Sequence, residues 1–211
     1  MISKTARSAG TALAAAACLL PLVPVLIEPG MGVLVSLAIA VIGLVMFPSS
    51  RGPTLAMVWK GRIASIVLGV LVGGALAWSI ANFVRPLVEG WLGKGVNVAG
   101  LEQVAGNQLL FAFTLVIALA SAVLEEVIFR GYVIGWGAKI FGKGAAVLVM
   151  LLSSAVFGFA HWGYGQSGAV VTGFAGLVLG TLYLACGRRL LPSIMAHVTF
   201  NAIGSTALFL S

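Results

Sequence analysis

Apolar residues fill this chain in long unbroken runs, and its polar positions fall in short clusters between them. Membrane barrel strands alternate apolar and polar residues in segments of about ten, a pattern these runs lack. About 20 apolar residues cross a bilayer as a helix. Seven runs qualify, at roughly 11–27, 31–47, 63–84, 107–130, 145–161, 168–186 and 190–210. The pattern therefore predicts an all-α, polytopic transmembrane helical bundle of about seven spans. An eighth, re-entrant or interfacial segment fits within 86–106 or 131–144. Pro21 and Pro24 should kink the first span. The whole of 1–211 reads as a single membrane domain, with N-terminal spans in 1–106 and a catalytic core in 107–211.

Composition narrows the class. Hydrophobic residues make up 61% of the 211 positions and charged residues 8%, against about 25% charged in a soluble domain. Mean hydropathy is +1.14. A soluble fold of this size has nowhere to place so much apolar surface, and a disordered chain would not contain it. The expected surroundings are a lipid bilayer, in a bacterial inner (cytoplasmic) membrane.

The net charge of +7 does not mark a polyanion site. With the N-terminus cytoplasmic, the inner segments hold Lys4, Arg7, Arg51, Lys60, Arg62, Lys139, Lys143, Arg188 and Arg189. The outer segments hold only Arg85 and Lys94. Nine against two is the positive-inside bias of a membrane protein, so no nucleic-acid partner is expected. Lys4 and Arg7 ahead of an apolar run resemble a signal peptide. The run is long and no clear A-x-A site closes it, so a retained anchor is expected.

The acids are few and uneven. All five are Glu: Glu28, Glu89, Glu102, Glu125 and Glu126. With no Asp, aspartyl intramembrane proteolysis is excluded. The two His, His161 and His197, form no HExxH, which excludes a zincin-type site. Cys18 and Cys186 sit in or beside apolar runs without metal-type spacing, and a structural disulfide is not expected. Gly69 and Gly73, like Gly176 and Gly180, are four apart, a spacing that lets helix backbones approach. No internal repeat suggests an inverted-repeat transporter.

Two of the five acids stand together, in Leu124-Glu125-Glu126-Val127-Ile128-Phe129-Arg130, after more than twenty uncharged residues. Ionisable groups inside spans cost about 2.5–3.5 kcal/mol each on insertion scales. Adjacent carboxylates on a helix point about 100° apart, so they cannot do the same job. Glu126 and Arg130 are four apart with the acid first, the favourable order for an ion pair. That pair would hold Arg130 and leave Glu125 free. Both histidines lie in or at the edge of apolar runs, and Asn201 follows His197 by one helical turn on the same face. Together these groups supply what peptide hydrolysis needs. A carboxylate in an apolar pocket can serve as general base toward water. One His can orient that water or hold a metal, and a second His with an Asn amide can stabilise an oxyanion.

The residues resemble the CAAX-protease and bacteriocin-processing family of intramembrane peptidases, also called the Abi family. Its Glu-Glu-x-x-x-Arg motif is matched by Glu125, Glu126 and Arg130, followed by Gly131. Its Phe-x-x-x-His is matched by Phe157 and His161, and its His-x-x-x-Asn by His197 and Asn201. The segment from Gly176 to Tyr183 ahead of Pro192 is similar to the family's penultimate helix. The resemblance covers about 120–205. It implies Glu125 activating a water, His161 positioning it, and His197 with Asn201 forming the oxyanion site. Glu126, Arg130 and Phe157 would support them. The implied substrate is a membrane-associated protein or peptide. The resemblance leaves a metal open: Glu125, His161 and His197 could form a zinc (Zn2+) site with an open position. A metal-free glutamate–water mechanism is slightly favoured.

Counting residues along these spans raises one conflict. Glu125 falls near the inner end of the fourth span, while His161 falls about 24 Å up the fifth. They meet only if helix four continues past Arg130 toward Trp136, or helix five starts after 145. Either change moves the site toward mid-membrane, in a cavity opening to the cytoplasm or to lipid. Three rival readings remain. Gly165-Gln166-Ser167-Gly168 matches the rhomboid G-x-S-G pattern, with Ser167 as nucleophile and His197 as base, but leaves the double Glu unexplained. A non-catalytic immunity or scaffold protein would keep the motifs for packing. A channel or transporter is disfavoured, because the polar groups are localised rather than lining a path.

Overall fold

Proline and glycine set the shape of the helices in the computed structural model, which describes residues 4–29 and 31–211. The first apolar run forms α1 (Lys4–Leu19) and α2 (Leu22–Ile27), parted at Pro21 as expected. Pro24 lies in the first turn of α2, where a missing N–H leaves no intrahelical bond unmade. Antiparallel to α2 runs α3 (Met31–Met46), whose Ser36 hydroxyl donates to the Pro21 carbonyl across the break. After a short α4 (Pro48–Thr54) come α5 (Arg62–Leu92), α6 (Gln108–Phe141), α7 (Ala146–Ala160), α8 (Gly165–Ala185) and α9 (Leu190–Leu210). Among the described residues there is no strand.

Four helices are long and apolar enough to cross a membrane: α5, α6, the segment Trp162–Ala185 and α9. Three shorter apolar helices accompany them, at Gly10–Leu19, Met31–Met46 and Ala146–Ala160. The seven expected runs are thus all helical, with two extensions. The third run continues to Leu92 and the fourth continues past Arg130 to Phe141. These extensions take up most of the ground allotted to an eighth segment, leaving a short 3₁₀ turn at Ala99–Val104.

Both extensions pass through π-helix. In α5 it covers Ile80–Val84, just ahead of Pro86. Pro86 lacks an N–H and crowds the carbonyl one turn back, and the wider turn accommodates both. In α6 it covers Glu126–Trp136, and this stretch is almost wholly buried. Two of its glycines admit neighbours: a Cβ on Gly131 would strike the Thr54 carbonyl, and one on Gly135 the Tyr183 hydroxyl. Asn107 caps the start of α6 by accepting from the Leu110 N–H at 3.1 Å. At the other end Gly142, at φ 89°, terminates it.

The glycine pairs are close contacts. A Cβ on Gly69 would collide with Met195 and the Pro192 carbonyl, and one on Gly73 with the Ala196 carbonyl. On the α7–α8 seam, Gly176 faces Phe157 and Gly180 faces Met150. Gly73→Leu is therefore expected to push α9 from α5 and lower stability by about 1–3 kcal/mol. Thermal unfolding in detergent measures this, and an unchanged midpoint would contradict the close packing. Backbone bonds tie the ends of the bundle. At one end the Leu190 and Leu191 N–H groups donate to the Ala56 and Met57 carbonyls at 2.8 and 2.9 Å. At the opposite end Asn97 N–H donates to Tyr164 and Gly106 N–H to Phe209, each at 2.9 Å.

Candidate active site

The extension of α6 removes the conflict of levels. From Glu125, α6 runs about 24 Å to Phe141 at 1.5 Å per residue. The 15 residues of α7 then climb back about 22 Å. His161 caps the end of α7 and so returns to the level of Glu125. The centre lies near the middle of α6, well away from either end of that helix.

Glu126 is the hub. Its side chain is fully buried, and its Oε1 lies 2.8 Å from Arg130 Nη1 and 3.0 Å from His197 Nδ1. The expected i,i+4 ion pair is present, and the same carboxylate also holds the imidazole of α9. A carboxylate oxygen accepts here, so Nδ1 of His197 carries the proton. Arg130 donates its second Nη to the Gly176 carbonyl at 2.9 Å and lies 4.7 Å above the Phe157 ring. Phe157 also meets both histidines, with ring centroids 4.8 Å from His161 and 5.7 Å from His197.

Glu125 points elsewhere, as the 100° offset requires. Its Oε2 lies 3.9 Å from His197 Nε2, beyond hydrogen-bond length. No closer partner engages it among the described residues, although it is 8% exposed. The two carboxylates thus address opposite nitrogens of one buried ring.

His161 Nδ1 lies 2.8 Å from the Phe157 carbonyl. A carbonyl only accepts, so Nδ1 carries the proton and a neutral ring offers Nε2 as acceptor. Asn201 gives one amide hydrogen to the Ala118 carbonyl at 2.9 Å, which leaves the other free. Its bond to α6 fixes the amide, but no bond joins it to His197. Ser167 is buried and donates to the Lys94 carbonyl.

Glu125, His161 and His197 are not gathered closely enough to form a three-ligand cluster in this arrangement. Glu126 accepts from Nδ1 of His197, which leaves Nε2 facing Glu125. Among the described residues, no group of three or more His, Cys, Asp or Glu is set to hold a metal.

Three contributors carry no sequence signal: the carbonyls of Gly176, Phe157 and Ala118. A fourth is Tyr164, whose ring stacks on His161 at 6.0 Å and lies within electrostatic reach of Glu125. Beside this turn runs an open apolar groove of about 450 Å³, lined by Trp91, Leu92, Phe159, Trp162 and Val170 among others.

Fold and site together define a membrane-type helical protein with a buried carboxylate–imidazole centre. Residues 107–203 match the family model of type II CAAX prenyl endopeptidases, Rce1-like. The match covers every motif residue and bears out the family resemblance. Comparison with curated proteins gives no match, and neither does comparison with solved structures.

Proposed function

We propose that the protein is an intramembrane endopeptidase that hydrolyses a peptide bond of a membrane-associated protein or peptide. The observation that carries this reading is the division of labour around His197. Glu126 holds Nδ1 at 3.0 Å, while Glu125, with no hydrogen bond to the ring, faces Nε2 at 3.9 Å. The match of 107–203 to a CAAX endopeptidase family supports the same reaction class.

In this mechanism Glu125 takes a proton from a water, whose oxygen attacks the scissile carbonyl carbon. His161 Nε2 accepts the water's other hydrogen and orients it. The carbonyl oxygen becomes an oxyanion, received by the free amide hydrogen of Asn201 and by His197 Nε2 in its protonated form. Glu125 then returns its proton to the leaving nitrogen as the C–N bond breaks. Glu126, Arg130 and Phe157 keep the His197 ring in place. The apolar groove beside the His161 turn suits a lipid-like chain on the substrate.

The chain is read as inserted with its N-terminus cytoplasmic and about seven spans in a bacterial inner membrane. The nine-against-two distribution of bases supports that orientation. The test is a comparison of membrane peptidomes from cells carrying wild type or Glu125→Gln. A peptide set that disappears in the variant supports proteolysis and identifies the substrate class. Identical peptidomes at equal protein levels would favour the non-catalytic reading instead.

The rhomboid-type reading makes a separate prediction. Ser167→Ala is expected to leave cleavage nearly unchanged. The loss of its bond to Lys94 should lower stability by about 1 kcal/mol. Loss of cleavage in a folded Ser167→Ala protein would reverse the assignment.

A further inference from the structure

The end of the bundle that carries the Ala56–Leu190 bond gathers bases without acids. Arg51, Lys60, Arg62, Lys139, Arg188 and Arg189 lie there. Of the five Glu, Glu125 and Glu126 are inside the bundle, Glu89 and Glu102 are toward the opposite end, and Glu28 is at the α2–α3 turn. Positive-inside topology accounts for the sign of this end. It does not account for the gathering of three cations around one concavity.

That concavity has a volume of about 380 Å³ and lies between α4, the last turns of α6 and the α8–α9 turn. Lys139, Arg188 and Arg189 line it, and Gly52, Gly142 and Gly187 keep it open. A Cβ on any of these three glycines would meet nothing within 4 Å. Lys139 reaches across to the Ser49 carbonyl at 3.1 Å. The Arg188 N–H donates to the Tyr183 carbonyl at 2.8 Å, but neither the Arg188 nor the Arg189 guanidinium has a hydrogen bond or ion pair among the described residues. Arg188 also holds a left-handed backbone, φ 62°, which a side chain adopts only against a steric penalty. Beneath, the buried Tyr183 hydroxyl has no partner and lies against Gly135, a further residue of the concavity wall.

We propose that this concavity binds the phosphate headgroup of an anionic membrane lipid. A phosphate takes the unpaired guanidinium donors through charge-assisted bonds. Basic pockets between transmembrane helices at the cytoplasmic surface hold such headgroups. The lipid tails would lie along the apolar helices that flank the concavity. The site is separate from the Glu125 centre, and its test reads binding rather than cleavage.

The experiment uses the full chain in detergent with phosphatidylglycerol or phosphatidylcholine, with retained lipid counted by native mass spectrometry. Wild type is expected to keep one phosphatidylglycerol in preference to phosphatidylcholine. The pair Arg188→Gly/Arg189→Gln should weaken that binding about thirtyfold. Glycine at 188 also suits the left-handed backbone, so the variant relieves strain rather than adding it. Lys60→Gln/Arg62→Gln removes the same charge outside the concavity and should change binding less than about threefold. Gly52→Leu fills the mouth with no change of charge and should also lose the lipid, which keeps the test valid if an arginine variant unfolds. Equal weakening by both charge pairs would reduce the effect to diffuse surface attraction and overturn the proposal. So would equal retention of both lipids, or displacement of the lipid by an equal concentration of inorganic phosphate.

Discussion

Glu125→Gln is expected to lower peptide-bond cleavage about a thousandfold with the fold intact, because general-base catalysis typically contributes 10²–10⁴. The substitution keeps size and shape and removes only basicity. Glu125 holds no partner tightly; its nearest, His197 Nε2, is 3.9 Å away. No buried cation is therefore stranded by the change. The measurement is cleavage of a prenylated peptide by purified protein in liposomes, with kcat and KM taken separately. The loss should fall on kcat, since the proposed role of the carboxylate is toward water rather than substrate binding. A variant that keeps cleavage within tenfold of wild type, with normal unfolding, would remove Glu125 from the chemistry.

The largest stability effect is expected one residue on. Arg130→Ala should destabilise the protein by about 3–5 kcal/mol, the range for breaking a buried ion pair by removing one partner. The substitution strips Glu126 of its cation at 2.8 Å and the Gly176 carbonyl of its donor at 2.9 Å. It also empties the space over the Phe157 ring. Replacing both members, as in Glu126→Leu/Arg130→Met, should recover a large part of the stability, because no lone charge remains buried. Cleavage should stay low in that double variant, since His197 has lost the oxygen that orients it. Thermal unfolding in detergent separates these outcomes. Arg130→Ala within 1 kcal/mol of wild type would show that the pair contributes little.

The fold was legible where its signal is length and hydropathy. Each expected run is helical, and Pro21 breaks the first of them. The extension of α6 past Arg130 was less legible. Three charges within six residues look like a membrane surface, and the stretch that follows to Phe141 holds three glycines. The stretch stays helical because Gly131 and Gly135 let α4 and Tyr183 press against it, a tertiary reason with no local trace. The site was legible because polar groups are costly in an apolar chain, so each one stands out. The Glu126–Arg130 pair followed from helical spacing alone. The contact between Glu126 and His197 spans 71 positions and has no local signature. The backbone acceptors at Gly176, Phe157 and Ala118 are invisible in principle, since every residue carries a carbonyl. Tyr164 carries no signal of its own, since an aromatic residue near a helix end usually marks an interface.

The Glu126–Arg130 contact lies within one helix, and this bears on how the protein is made. Such a pair needs no partner helix, so it forms as soon as that turn of α6 has formed. The middle of α6 then enters the bilayer with one unbalanced carboxylate instead of three separate charges, which lowers the barrier to its insertion. His197 arrives only with α9, which is synthesised after α6. The membrane thus receives α6 already neutralised at Glu126, and the centre stays incomplete until α9 is in place.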